Sequence, residues 1–357
     1  MIYCSRRTLN GNRNNHDESE CWELRCIDNS SKFRGQTLPT ENRPLWCSLH
    51  RQLNACLKWF YLSINSLAPR REQPDVQNKN MELISKAMIE GLFKPRDAGS
   101  HKGNHGHVML LAGSKGKMGA CIIAAKACQR AGAGLLTVHV DAEERMIVQI
   151  AIPEAMVSSP GDAAAPERFS AAGVGPGLGT TKETTEALFV LVDRWKKPMV
   201  LDADALNILS TSPHYLNNLV PGAILTPHPI EFDRLFGKHE NEEARRLKAL
   251  QVSRQYPLVI VLKSAQTLVA FNGEGYLNTN GNAGLAKGGS GDALLGIIAA
   301  FLGQGYPPLD AARLGVYLHG KAADIALEAQ SMESMLITDV IDCLGKAFIS
   351  IQGNEQG

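Results

Sequence analysis

An excess of charge of either sign is missing from this sequence. Its 357 residues carry 37 Lys plus Arg against 36 Asp plus Glu, a formal net charge of +1 with neutral His. No overall field therefore draws the chain onto nucleic acid or anionic lipid, and any phosphate it binds has to be held by local groups. Long apolar runs are missing too. The longest uncharged one, Leu294 to Leu302, is about half the roughly 20 residues that a bilayer-spanning helix needs. No apolar stretch of signal-peptide length follows Arg6 and Arg7. The expectations are therefore no nucleic-acid partner, no membrane and a cytosolic location. The glycine period of collagen, the heptads of a coiled coil and the charge bias of a disordered chain are all absent, which leaves one or two globular domains.

Paired zinc-ligand spacings are lacking as well. Five of the eight Cys (Cys4, Cys21, Cys26, Cys47, Cys56) precede residue 60, yet Cys21 and Cys26 do not have the two-residue gap of common ligand pairs and no second close pair answers them. In a cytosolic chain they should be reduced.

What is present changes character near residue 80. Before it the chain is rich in Asn, Ser, Arg and Cys, with one clear apolar stretch around Leu57 to Leu67. Residues 1–80 read as a poorly ordered or accessory extension and 81–357 as one domain, a size that α/β folds reach as single units. The segment MELISKAMIEGLF from Met81 reads as helical. After it, short apolar runs at 107–112, 135–140, 171–175, 198–203, 223–227 and 258–263 alternate with helical patterns such as Met118 to Ala131, Lys182 to Trp195 and Glu242 to Arg254. Continuous apolar runs suit strands buried on both faces, and the alternation predicts a mostly parallel sheet with helices on both sides. A hairpin, TLVAFN and GYLNT joined by Gly273 to Gly275, and a helical C-terminal part follow.

The most informative segment is GNAGLAKGGSGDALLGIIAAFL, Gly281 to Leu302. Five glycines in eleven residues end at Asp292, where an apolar helix begins. Glycines let backbone N–H groups converge, and the helix aims the positive end of its dipole at the same place, which makes an anion hole. A carboxylate there would repel a phosphate that was merely bound. As a general base taking a proton from a hydroxyl while the amides hold an incoming phosphoryl group, it makes chemical sense. The competing reading makes Asp292 the N-cap of the helix.

Together with HKGNHGHVMLLAGS at 101–114, KMGACIIAAKACQRAGAGLLTV at 117–138, GVGPGLG at 173–179, VLDADALN at 200–207, LTPHPIEF at 225–232 and VLKSAQTLV at 261–269, this loop resembles the ribokinase-like superfamily. Within it, the blocks and their order resemble the ADP-dependent NAD(P)H-hydrate dehydratase family over about residues 85–350. The resemblance implies a three-layer α/β/α sandwich and an enzyme, a hydro-lyase. It would restore C6-hydrated NADH or NADPH, in the S-form, to the reduced dinucleotide. ADP or ATP is the implied co-substrate, with Mg²⁺ as cofactor and a homotetramer or dimer as the assembly. Hydroxide leaves poorly and phosphate leaves well, so phosphorylating the ring hydroxyl turns a kinase-type fold into a dehydratase.

On that resemblance Asp292 is the catalytic base, and Gly288, Gly289 and Gly291 line the anion hole. Lys263, Ser264, Ala265, Gln266, Thr267 and Gly291 bind the nucleotide, the Lys263 ammonium and Thr267 hydroxyl suiting phosphate oxygens. Ala120, Gly177, His228 and Asp292 contact the hydrated dinucleotide. Asp202 and Asp204, with Asn207, line the dinucleotide or magnesium side of the cleft, since carboxylates at a strand end suit a hard cation that keeps its waters. Each has a plainer alternative. LKSAQT can be a surface turn, His228 can cap its loop, GPGLG can be a tight turn, and Asp204 can cap a helix.

Two rivals share part of the pattern. A small-molecule kinase acting on a vitamin or sugar has the same fold and GSGD loop, whereas HKGNHG and GPGLG with TPHP favour the dehydratase. A nucleotide sensor without turnover has no need of Asp292. One departure is Lys287, where many relatives carry Thr; it suggests a second cation facing the phosphates. The 80-residue extension is too short for the epimerase domain to which bacterial relatives are often fused.

Overall fold

The computed structural model describes residues 2–6, 22–26, 81–160 and 166–352. The chain divides into two units, Met1–Asp75 and Val76–Gly357. In the first, β1 (Ile2–Arg6) and β2 (Trp22–Cys26) pair antiparallel. The remaining readings made for residues 1–80 fall outside the described residues.

The second unit is built on a ten-stranded sheet in the order β3-β12-β11-β10-β9-β8-β7-β4-β5-β6. Its strands are β3 (Met81–Leu83), β4 (His107–Leu111), β5 (Leu135–His139), β6 (Met156–Ser158), β7 (Ala171–Val174), β8 (Met199–Leu201), β9 (Ile224–Leu225), β10 (Val259–Leu262), β11 (Leu268–Phe271) and β12 (Glu274–Leu277). From β6 to β10 every pairing is parallel, and only β11 runs against its neighbours. β7, β8 and β10 are buried at every position, as strands covered on both faces must be.

Two apolar cores flank the sheet and make the three layers. On one face Val108, Leu110, Leu136 and Val138 pack with residues of α2 (Met118–Arg130), α8 (Ser290–Gly303), α9 (Pro308–Ala326), α10 (Ile337–Asp342) and α11 (Leu344–Ile351). On the other, Ala172, Val174, Leu201, Leu225 and Ile260 pack with α4 (Lys182–Arg194), α5 (Asp204–Thr211), α6 (Pro229–Phe236) and α7 (Glu242–Gln255). Two shorter helices, α1 (Lys86–Leu92) and α3 (Arg145–Ala151), complete the unit. Among the described residues no helix is long and apolar enough to cross a membrane.

The chain builds β4 to β6 in one direction and then crosses back, so that β7 lies on the other side of β4. Between β4 and β7 is the point where strand order reverses, and open α/β sheets bind ligands outside the carboxyl ends of the strands there.

Three local expectations are corrected. The segment from Met81 is not one helix: β3 pairs parallel with β12 (Met81 opposite Gly275), and Ser85 then N-caps α1. The hairpin turns on Asn272-Gly273, at φ of 50° and 81°, while Glu274 and Gly275 already belong to β12. Both central residues at positive φ are what a two-residue hairpin loop demands, and Asn-Gly is its usual sequence. β6, with exposed Met156, went unread as a strand because only three residues form it.

Candidate functional site

The loops after β4, β7, β8, β9 and β10 bring most of the expected residues to one end of the sheet. After β10 comes Lys263, whose backbone N–H donates to the Pro227 carbonyl after β9. Its Nζ lies 2.7 and 2.9 Å from Oδ1 and Oδ2 of Asp202, which follows β8. Asp202 is only 1% exposed, so the ammonium is its countercharge in a site without water to solvate it. Asp202 Oδ1 also accepts the N–H of Ala203, which stands at φ 49° and ψ −122°. A non-glycine residue held in that region is strained, and the strain aims Asp204 into the first turn of α5. Asp204 Oδ2 accepts the Gly179 N–H at 2.8 Å and faces Lys117 at 3.4 Å. Asp204 therefore does not N-cap α5; it pins GPGLG instead.

GPGLG and the Gly113–Ala120 loop are stitched together. Gly113 N–H donates to the Pro176 carbonyl and Ser114 Oγ to the Gly177 carbonyl. Gly177 has φ +62°, and a Cβ on it would stand 2.7 Å from the Lys117 carbonyl and 3.1 Å from the Ala120 methyl. Only glycine satisfies both conditions, and the two expected substrate contacts, Ala120 and Gly177, are neighbours here.

The glycine loop leads into α8, whose N-cap is Gly289 at φ +96°. The helix begins at Ser290, two residues before the expected start, so Asp292 is the third helical residue and not the cap. Among the described residues its carboxylate has no hydrogen bond or ion pair. Burial pushes its pKa up to about 6, Asp202, Asp204 and Glu231 add to the rise, and Lys263 opposes it. Gly291 lies against the ion pair: a Cβ there would stand 2.9 Å from Lys263 Nζ and 3.0 Å from Asp202 Oδ2. Gly288 has nothing within 4 Å of where its Cβ would be, so the cradle is open on that side. Asp292, the cradle amides and Lys263 are thus assembled around one opening.

Other residues are placed less centrally. Ser264 to Thr267 form the turn between β10 and β11, with Ala265 and Gln266 exposed. Ser264 Oγ lies 2.9 Å from Glu242 Oε1 and 2.8 Å from the Gln266 carbonyl, sharing its one proton between them, and Thr267 Oγ1 donates to the Ser264 carbonyl. His228 is the N-cap of α6: its Nδ1 accepts from Ile230 N–H, and Glu231 accepts from His228 N–H. Its side chain stays 43% exposed. Burial, then Lys263, lowers its pKa against the opposing pull of Asp202. Lys287 does not face the phosphates. Its Nζ donates to the Glu333 and Met335 carbonyls. HKGNHG does not reach the site either, because Lys102–His105 is a 3-10 turn ahead of β4, at the opposite end of that strand from Gly113.

Sequence reasoning missed Glu231 and His319. Glu231 is 6% exposed, and burial raises its pKa despite Lys263. Its signal was present: a Glu three residues after the capping His228 is the spacing of a capping box. His319 on α9 is buried, and burial followed by Lys263 lowers its pKa to about 4.

Such an assembly can hold a phosphoryl group on backbone amides and a lysine while a carboxylate removes a proton beside it. Comparison with known proteins decides the family. A profile of NAD(P)H-hydrate dehydratases matches residues 108–346, two thirds of the chain. The chain belongs to the NAD(P)H-hydrate dehydratase family. An ADP-dependent (S)-NAD(P)H-hydrate dehydratase of Neisseria meningitidis is 40% identical over 273 residues, 74% of this chain and 92% of that protein. A bifunctional NAD(P)H-hydrate repair enzyme of Moorella thermoacetica is 38% identical over 285 residues, 75% of this chain but 54% of that protein. The chain thus spans about half the length of the bifunctional relatives it matches. The crystal structure of an ADP/ATP-dependent NAD(P)H-hydrate dehydratase from Bacillus subtilis, co-crystallised with ATP and Mg²⁺, matches with a TM-score of 0.69 and 33% identity, covering 77% of this chain and all of that one. The ribokinase-like fold of these dehydratases is the fold of residues 81–352.

Proposed function

We propose that this chain dehydrates the S-form of C6-hydrated NADH or NADPH to the reduced dinucleotide, converting ADP to AMP and phosphate. The observation that carries the reading is the Asp292 carboxylate: half-buried, without a hydrogen bond among the described residues, and seated in the first turn of α8 beside the glycine cradle. A carboxylate free of protein partners at the mouth of an amide cradle is available to accept a proton.

The residues perform the reaction in order. Lys263 and the amides of Gly288, Gly289 and Gly291 hold the terminal phosphoryl group of the nucleotide. Asp292 accepts the proton of the ring hydroxyl as its oxygen bonds to phosphorus and the bond to the AMP oxygen breaks. Phosphate then leaves C6 with the C–O electron pair, and the neighbouring C5 proton passes to water as its C–H electron pair restores the ring double bond. Ala120, Gly177 and His228 line the dinucleotide side. Ser264 to Thr267 lie next to Lys263 as the nucleotide loop.

No group of three or more His, Cys, Asp or Glu side chains able to hold a metal ion occurs among the described residues. Mg²⁺ would arrive on the nucleotide phosphates and keep most of its waters. Asp204 is the carboxylate that would face it, since both Asp202 oxygens are held by Lys263, and the ion would neutralise charge on the transferring group. The small-molecule kinase reading shares the fold and the GSGD loop but has less support, because the curated relatives of Neisseria meningitidis and Bacillus subtilis, 40% and 34% identical, are named as ADP-dependent (S)-NAD(P)H-hydrate dehydratases. A cytosolic homotetramer or dimer completes the proposal. Exposed Met146, Ile147 and Ile150 on α3, beside Met156 on β6, offer an apolar face for such contacts.

The test uses purified protein with the S-hydrate, Mg²⁺ and either ADP or ATP. The near-ultraviolet absorbance of reduced nicotinamide should rise with at least one nucleotide. No rise with either would overturn the proposal, and a stable phosphorylated product from a vitamin or sugar panel would put the kinase in its place.

A further inference from the structure

We propose that Lys287 is a positioning residue: its ammonium, set on two backbone carbonyls of a distant turn, fixes the geometry of the amide cradle. The Nζ donates to the Glu333 carbonyl at 2.6 Å and to the Met335 carbonyl at 2.7 Å, across 46 and 48 residues of sequence. Those carbonyls belong to the turn that enters α10, and that turn is itself braced. Met335 N–H donates to the Ser331 carbonyl, and Asp339 accepts from both Leu336 N–H and Gln330. The lysine therefore ties the loop to a fixed point.

The packing agrees with a tether. The Met335 side chain is fully buried, and its Cε lies 2.6 Å from where a Cβ on Gly284 would be. At Gly289 the same construction meets Ile123 at 2.6 Å and Ile337 at 3.7 Å. The loop packs on the 332–337 segment at its Gly284 end and approaches Ile337 at its Gly289 end, and Lys287 supplies the polar link between them. Within the loop the Lys287 N–H donates to the Leu285 carbonyl, and its carbonyl accepts from Ser290 N–H. The backbone that carries the ammonium therefore also sets the first residue of α8.

An ammonium suits this task because two carbonyls on one side chain need two donors, and a charged donor makes the stronger bonds. Removing it leaves two acceptors without their partner and the loop without its link. Amides that must converge on a transferring phosphoryl group tolerate little displacement. The loss should accordingly fall on phosphoryl transfer, while binding of a nucleotide that lacks that group is spared. This activity arm rests on the reaction proposed above; the exchange arm does not.

The experiment compares Lys287→Met, Lys287→Arg and Lys287→Ala in the full chain. In the free protein, backbone amides of residues 284–292 should exchange about tenfold faster in Lys287→Met and stay near wild type in Lys287→Arg. With hydrate and ADP, kcat of Lys287→Met should fall about tenfold or more while its affinity for AMP changes less than about twofold. Lys287→Ala should recover severalfold on adding ethylammonium, which restores a donor to the two carbonyls. Unchanged amide exchange in Lys287→Met would overturn the inference. So would AMP affinity that falls in step with kcat, since that pattern marks general unfolding and not a displaced cradle. A wild type inactive on the hydrate would sink the proposed reaction, and amide exchange alone would then decide the role of Lys287.

Discussion

Asp292→Asn is expected to lower turnover by about 10² or more and, above pH 6, to raise the melting temperature. The two effects come from one property of the site. Burial and three neighbouring carboxylates lift the Asp292 pKa from 3.8 in the unfolded chain to about 6 in the fold. The folded state therefore binds this proton more tightly, and stability from this group falls as pH rises between those two values. Below the lower value the group costs nothing; above about 6 the ionised carboxylate carries its full penalty. A shift of this size discounted for partial exposure corresponds to about 1–2 kcal/mol. Asn keeps the shape and removes the charge, so thermal unfolding at pH 8 should show the gain and at pH 3.5 should not. The same ionisation governs activity. Wild-type kcat/KM should fall with decreasing pH through about 6, because a protonated carboxyl cannot accept the hydroxyl proton. A variant that keeps its turnover would remove Asp292 from the chemistry, whatever its stability.

Lys263→Met acts through the opposite balance. Its ammonium sits between both Asp202 oxygens, and Asp202 is 1% exposed. Removing the cation leaves a buried carboxylate unpaired, an effect of about 3–5 kcal/mol in measured cases. Nucleotide turnover should be lost with it. Adding Asp202→Asn to the same chain removes the stranded charge, so most of the stability should return while turnover stays low. Urea unfolding of the two single variants and the double variant checks this. A Lys263→Met protein as stable as wild type would mean that the ion pair is not what holds these strand ends together.

Much of this architecture is legible in the sequence, for a physical reason. Strands buried on both faces need unbroken apolar runs, and the runs at 107–112, 171–175 and 258–263 contain β4, β7 and β10. The helices starting at Met118, Lys182 and Glu242 begin where their patterns begin. β3 is hidden because its partner among the described residues, β12, lies far along the chain, and nothing local in Met81–Leu83 announces it. The site divides in the same way. The glycine loop and the GPGLG turn announce themselves locally, since positive φ and close approach require glycine. That Lys263 spends its charge on Asp202, and Lys287 on two carbonyls of another segment, depends on which loops the sheet brings together. Sequence placed both cations facing phosphate; the fold assigns Lys287 to the cradle's support.

The most direct measurement of the central claim follows one oxygen atom. If Asp292 deprotonates the ring hydroxyl so that its oxygen attacks phosphorus, that oxygen must depart from C6 within phosphate. Hydrate carrying a heavy-oxygen label on the C6 hydroxyl, turned over with ADP and Mg²⁺, should deliver the label to inorganic phosphate, read by mass spectrometry. Label recovered in water, with the phosphate unlabelled, would show that hydroxide leaves directly and would contradict the assignment of Asp292 and its cradle to phosphoryl transfer.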